Sequence, residues 1–468
     1  MTSPSTFPPL LDVTAQTPGL DLRPFRGLRY DPAVVPDLAA ATSPPYDVVD
    51  ADGVRRLEQL DPHNVVRLIL PREDSCGSEG RYAHAAATLR QWVRDGVLVQ
   101  DEPGFYVYEE AGEGLLHRGV VGAVALDGSR TGAVLPHEEV MPQPVADRTA
   151  LMRATGAHLE PILLVHDGDP EAGERIDALI DAVVATPQLL DVRTAEDHRL
   201  RLWHLPAGST NSSTNSSTDG IAEALRAAFA RRRALIADGH HRWAAYHALA
   251  AELGDGNAAG AAGGADARRV EGGANGGWES GLALLVDASR YPLALGAIHR
   301  LVHGLTLTDA LAALAGLDGA VRVTRLTPDS LPAPERLAAA GREHPVFDLV
   351  AADGAARLEV IAPGLLAADQ PAVWEGLDAA LLHAGLLPRW QAEDGSARHP
   401  VTYCHDARAA VTAAREGVGL AVLLNPVTVP QVLSVAAAGA TMPRKSTSFG
   451  PKPRTGLVLR AVTDPAGP

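Results

Sequence analysis

Lysine is almost missing from this chain. Of 41 lysines and arginines only two are lysines, Lys445 and Lys452, and both lie in PRKSTSFGPKPRTG at 443–456. Positive charge is short overall. The formal net charge of −16 argues against broad binding to nucleic acid or to anionic membranes. The two cysteines, Cys76 and Cys404, have neither the number nor the spacing of a disulfide framework or a thiolate metal site. A reduced, cytoplasmic setting is expected. No apolar run is long enough to cross a membrane. The first twenty residues lack the basic start and apolar centre of a signal peptide. Aromatics make up only 4% against 46% hydrophobic residues, so the core must be largely aliphatic and alanine-rich. At 468 residues, two or three domains of about 100–200 residues are expected.

What is present alternates strand and helix patterns. Residues 1–20 are rich in Pro, Ser and Thr and read as a disordered tail. Residues 21–205 read as an N-terminal α/β region, in which NVVRLILP is expected as a strand and SEGRYAHAAATLRQWVRDGVLV as an amphipathic helix. PGFYVYEEA and LHRGVVGAVAL read as an antiparallel pair. The stretch 206–220 is a low-complexity loop. Residues 221–300 form a core around ADGHHR, with a flexible Gly/Ala-rich insert at 254–277. Residues 301–468 read as a C-terminal α/β region ending in the MPRKST and PKP motifs. The fold class is mixed, α/β or α+β.

LIADGHHRWAAYHAL (235–249) carries the sharpest chemistry. A strand runs into Asp238 and Gly239, and a helix starts at once with His240, His241 and Arg242. Gly239 permits a tight turn, and a helix N-terminus with cationic donors suits an anion. Asp238 could hold Mg²⁺ or accept a proton. VLPHEEVMPQPVADRTALM (134–152) sets His137 beside Glu138 and follows with Asp147–Arg148 across a Pro-rich stretch expected as a rigid, exposed loop. GAIHRLVHG places His299 and Arg300 at a strand end. GATMPRKS, Gly439 to Ser446, nearly spells a phosphate-binding GxxxxGK[ST] loop, but Arg444 replaces the second glycine and TSFGPKP cannot open a helix. It remains an irregular basic segment with Lys445, Ser446, Thr447 and Lys452. A compact ammonium there suits a phosphate better than arginine's wide fork. Outside the low-complexity stretches the asparagines are Asn64 and Asn425.

Together PFRGLRYD, PPYDVV, HNVVRL, LPHE with its DR, ADGHHR, HR, NPV and MPRKST-F-PKP-TGL resemble, in order, the bacterial and archaeal family known as domain of unknown function 1015. The resemblance runs from about residue 22 to 462. Arg444, Ser448, Gly450 and the PLALGAI before His299 depart from its usual pattern. The DGHHR element is also similar to that of the ParB/sulfiredoxin-like superfamily, which includes free serine kinases. That resemblance implies ParB/sulfiredoxin-like core elements with additional helices and strands, and a phosphate and metal site at Asp238 through Arg242.

The resulting expectation is a small-molecule kinase dependent on Mg²⁺, acting on a hydroxyl such as that of free L-serine. ATP, ADP and pyrophosphate are all open as donor. Under it Gly239, His240, His241, Arg242, Arg300, Ser446 and Thr447 hold phosphate, while Lys445 and Lys452 neutralise the transferred group. Asp238 binds the metal, Glu138 is the base, and Asn64, Asn425, His137 and Arg148 orient substrate. A nucleotide-gated binding protein of the ParB kind and a phosphatase on a phosphoserine-like ester are the alternatives. The oligomeric state is left open.

Overall fold

The structure is a computed structural model, and it describes residues 19–73, 77–126, 132–166, 170–208, 220–260, 277–317, 319–327, 337, 344–362, 365–391 and 399–465. Most of the tail at 1–20, of the loop at 206–220 and of the insert at 254–277 lies outside them. The chain forms two compact units. The first gathers Met1–Leu135, Val140–Leu293 and Pro451–Pro468, and the second Pro136–Glu139 and Ala294–Gly450.

The first unit holds β1 (Leu22–Arg23), β2 (Gly27–Tyr30), β3 (Leu98–Gln100), β4 (Gly104–Gly112), β5 (Leu115–Ala125), β6 (Val134–Leu135), β7 (Ala157–His158), β8 (Ile162–His166), β9 (Leu190–Arg193), β10 (Arg199–Pro206), β11 (Ala234–Asp238) and β12 (Ser280–Asp287). Its main sheet runs β6-β11-β8-β12-β5-β4-β10-β9, with β1 also on β5. The expected β4–β5 hairpin is there, antiparallel with Tyr106 opposite Val121. Strand β12 lies parallel to β8 and antiparallel to β5. A strand enclosed in this way is buried on both faces, so it reads as an apolar run rather than an alternation. Every residue of SGLALLVD is buried. The sheet's core joins Leu22, Phe105, Trp203, Ile236, Tyr246 and Leu285. A smaller sheet orders β3, β2, the C-terminal strand Leu459–Ala461 and β7.

The second unit contains β13 (Ala294–Gly296), β14 (His299–His303), β15 (Val321–Arg325), β16 (Val346–Ala351), β17 (Gly354–Val360), β18 (Val401–Cys404), β19 (Gly419–Leu424) and β20 (Ser448–Gly450). Six form an antiparallel sheet in the order β15-β17-β16-β19-β14-β18. Two apolar clusters pack against it, one around Phe347, Leu382 and Trp390 and the other around Leu301, Val411 and Leu423. The mixed α/β class expected from the sequence is what the structure has.

Two local expectations are corrected. NVVRLILP is not a strand but holds a short helix, Val66–Ile69. Asn64 starts it by accepting the Val66 N–H at 2.9 Å, while its own amide donates to the carbonyls of Ala40 and Thr42. Fixed burial of Val65, Val66, Leu68 and Ile69 overrides their β preference. The Pro-rich stretch after Glu138 is not a loop but the start of helix Pro142–Thr155. Pro142 occupies the first turn, where a missing N–H costs nothing. The helix that follows Gly239 runs His240–Gly260, so it reaches into the Gly/Ala-rich stretch.

Candidate functional site

In the first unit β11 delivers Asp238 to a turn that only glycine serves well. Gly239 has φ +97°, and a Cβ there would lie 2.8 Å from Ile162 Cγ2. The helix His240–Gly260 begins immediately, so its first-turn N–H groups have no partner within the helix. His241 Nε2 accepts the Met141 N–H at 3.0 Å, which ties this turn to the start of helix Pro142–Thr155.

Behind the turn lies a buried chain of charges. Asp238 Oδ1 meets Lys452 Nζ at 2.8 Å, and Oδ2 pairs with Arg242. Lys452 also pairs with Asp47 Oδ2. Burial alone would raise the Asp238 pKa, but Lys452 and then Arg242 outweigh it and hold the carboxyl well below the usual range. Burial alone would lower the Lys452 pKa, but Asp238 and Asp47 keep the ammonium charged. Arg242 is further held by the Pro161 carbonyl at 2.6 Å. The Tyr46 ring lies between two guanidiniums, Arg148 at 4.3 Å and Arg242 at 5.8 Å from its centroid. Burial is the main reason its phenol is pushed up to about 12. Arg148 also grips Asp147 and donates to the Ile69 carbonyl at 2.7 Å. Glu160 accepts the Tyr46 N–H at 3.1 Å and the Thr455 hydroxyl at 3.2 Å. One acceptor stands out: Asp47 Oδ1 is buried and has no hydrogen-bond partner among the described residues.

In the second unit Glu138 organises the basic turn. Its carboxylate accepts the N–H of Lys445 at 2.7 Å, of Ser446 and Thr447 at 3.1 Å each, and the Thr447 hydroxyl at 2.9 Å. With that hydroxyl proton committed, Thr447 Oγ1 accepts from His137 Nε2 at 3.0 Å, which fixes the imidazole's tautomer. Lys445 sits in the left-handed region at φ 59°, and its carbonyl accepts from Arg300 at 2.9 Å. Arg300 is fully buried, and burial lowers its pKa to about 10. His299 is drawn down to about 4 by burial, with Arg300 adding to the effect, so it is neutral at pH 7. The Asn425 N–H donates to Asp378 at 3.1 Å, and burial pushes that carboxyl up to about 6.

Within the first unit the structure thus groups Asp238, Gly239, His240, His241, Arg242, Lys452 and Arg148. Within the second it groups His137, Glu138, Arg300, Lys445, Ser446 and Thr447. Asn425 sits beside Asp378, and Asn64 is fully buried as a clamp between Ala40, Thr42 and Val66. The Asp238 carboxylate does not fit Mg²⁺, because both its oxygens are held by cations. Among the described residues no three His, Cys, Asp or Glu side chains converge as a metal site. Sequence reasoning did not single out Tyr46, Asp47 and Glu160 as site residues. PPYDVV, which contains Tyr46 and Asp47, stands among the motifs of the family resemblance, but nothing in it announces a lysine 405 positions later.

Among solved structures the chain is similar to a free serine kinase in complex with AMP, at 14% identity and TM-score 0.35, covering 70% of this chain and 87% of that one. It is similar to a conserved hypothetical protein from Pyrococcus furiosus, at 12% identity and TM-score 0.35, covering 70% and 90%. It is similar to C-terminally truncated SbnI from Staphylococcus aureus, at 11% identity and TM-score 0.36, covering 73% and 87%. Likenesses this low carry no argument about activity. No curated protein matches. The family described as "Protein of unknown function (DUF1015)" matches residues 22–380, well over half of the chain, and this protein therefore belongs to it.

Proposed function

We propose that the chain is a phosphotransferase that moves a phosphoryl group onto the hydroxyl of a small molecule such as free L-serine. The observation that carries this reading is the Asp47–Lys452–Asp238 bridge directly behind the Gly239 turn. A helix N-terminus with two histidines offers N–H donors to donor phosphates. Lys452 has three N–H groups and spends two on carboxylates, so the third can meet an oxygen of the transferred group. Phosphoryl transfer asks mainly for such positioning and charge neutralisation. Asp238, held ionised by two cations, is a poor proton acceptor, and its task is to fix Lys452 and Arg242. Asp47 Oδ1 is the acceptor left without a partner among the described residues. In the step proposed, the substrate oxygen bonds to phosphorus, the bond from phosphorus to the donor breaks, and the hydroxyl proton passes to Asp47. Glu138 is left out of the base role because both its oxygens hold the 445–447 turn.

Phosphorus NMR tests this directly, with the full chain, Mg²⁺ and L-serine offered ATP, ADP or pyrophosphate in parallel. A phosphoserine resonance with one donor is expected and names that donor. No new ester with any donor, together with nucleotide protection against heat, would replace the kinase with a nucleotide-gated binding protein.

A further inference from the structure

The basic turn of the second unit has the geometry of an anion site whose present occupant is one of the protein's own carboxylates. Three successive N–H groups, from Lys445, Ser446 and Thr447, point at Glu138. The left-handed backbone at Lys445 turns them toward one point, as in the backbone nests that hold phosphate. The charges around it do not balance. Arg300 is fully buried, yet among the described residues its guanidinium donates only to the neutral carbonyls of Ile298 and Lys445, and its buried Nε has no partner there. The adjoining Arg444 is exposed and close enough to act on both Arg300 and His383. Among the described residues no carboxylate side chain pairs with Arg300, Arg444 or the Lys445 ammonium. Arg300, Arg444 and Lys445 against Glu138 and the nearby Asp406 leave a surplus of one positive charge. His137, His299 and His383 supply further polar nitrogen, and the second acid close enough to act there is Asp406, on His299. A buried cation without full counter-charge is costly, and a dianion in place of the single Glu138 charge would cancel this surplus.

We propose that the 444–447 turn binds a dianionic phosphate group, free or on a phosphorylated small molecule, in the place now taken by the Glu138 carboxylate. Glu138 is then a gate: it holds the turn closed until phosphate displaces it. This goes beyond the transfer reaction above, because it concerns binding that needs no nucleotide and no hydroxyl acceptor.

The test is calorimetric titration of the full chain with inorganic phosphate and, separately, with O-phosphoserine. Binding of inorganic phosphate identifies free phosphate as sufficient, whereas binding of the ester alone makes the organic part necessary. Removing the resident charge with Glu138→Gln is expected to tighten phosphate binding about tenfold, roughly the worth of one charge-assisted contact. Arg444→Gln is expected to weaken it by about the same factor. A folded Glu138→Gln variant that binds neither ligand more tightly than the wild type would overturn the proposal. Should that variant fail to fold, Arg444→Gln and Lys445→Gly leave both Glu138 and the turn backbone in place, and unchanged affinity in both would overturn it equally. Serine turnover is measured separately, so failure here leaves the kinase reading standing, and the reverse holds.

Discussion

Three single residues carry much of the account. Lys452 is bound between Asp47 and Asp238 with its side chain mostly buried. Lys452→Met leaves the buried Asp238 and the half-buried Asp47 without their shared cation, and a loss of about 3–5 kcal/mol is expected in denaturant unfolding. Lys452→Arg keeps the charge but cannot fit a planar fork into a site shaped for an ammonium. It is expected to stay folded and to lose most phosphoryl transfer, and wild-type turnover in it would remove the case for lysine here. Gly239→Ala combines φ +97° with a contact at 2.8 Å to Ile162, so a loss of roughly 1–3 kcal/mol is expected. Lys445 gives the opposite sign. At φ 59° its side chain strains the backbone by about 1–2 kcal/mol, so Lys445→Gly should melt at the wild-type temperature or above it while losing phosphate affinity. A lower melting temperature would show that the ammonium itself stabilises the turn.

At the level of elements, what the sequence showed and what it hid have different physical sources. The strand–glycine–helix order at Asp238–Arg242 was legible because each local signal agreed: an apolar run, a glycine, then a helical pattern. The β4–β5 pair was legible because two β-rich runs flank a short turn. The helix Val66–Ile69 was not, because its cause is Asn64 bridging to Ala40 and Thr42, a contact outside any local window. The same holds for Asp47 with Lys452 and for Glu138 with residues 445–447. Each is a pairing across hundreds of residues, and composition could mark only one end of it, the lysines. The join between His241 and Met141 is likewise invisible in sequence. His241→Ala leaves the Met141 N–H without its acceptor, and a cost of about 1–3 kcal/mol is expected in chemical denaturation.

At the scale of the whole molecule, burial of neutral histidines sets the acid limit of stability. His117, His166, His299 and His383 are each drawn down to about 4, in every case chiefly by burial. The unfolded chain binds these protons near pH 6.5, whereas the folded chain resists them. Their contribution is therefore fully present above about pH 6.5 and is lost progressively as pH falls toward about 4. Asp238, held low by Lys452 and Arg242 against the effect of burial, adds a further loss below about pH 4. Melting temperature should fall steeply over the histidine range, and His117→Gln should flatten that slope; an unchanged slope would move the cause elsewhere. The central claim concerns the reaction, and its most direct measurement is a phosphorus NMR time course of the wild type and Asp47→Asn with L-serine and each donor. The account predicts phosphoserine from the wild type and a rate lower by about 100-fold or more in Asp47→Asn, the usual worth of a positioned proton acceptor. Phosphoserine forming at equal rates in both, or in neither, would contradict it.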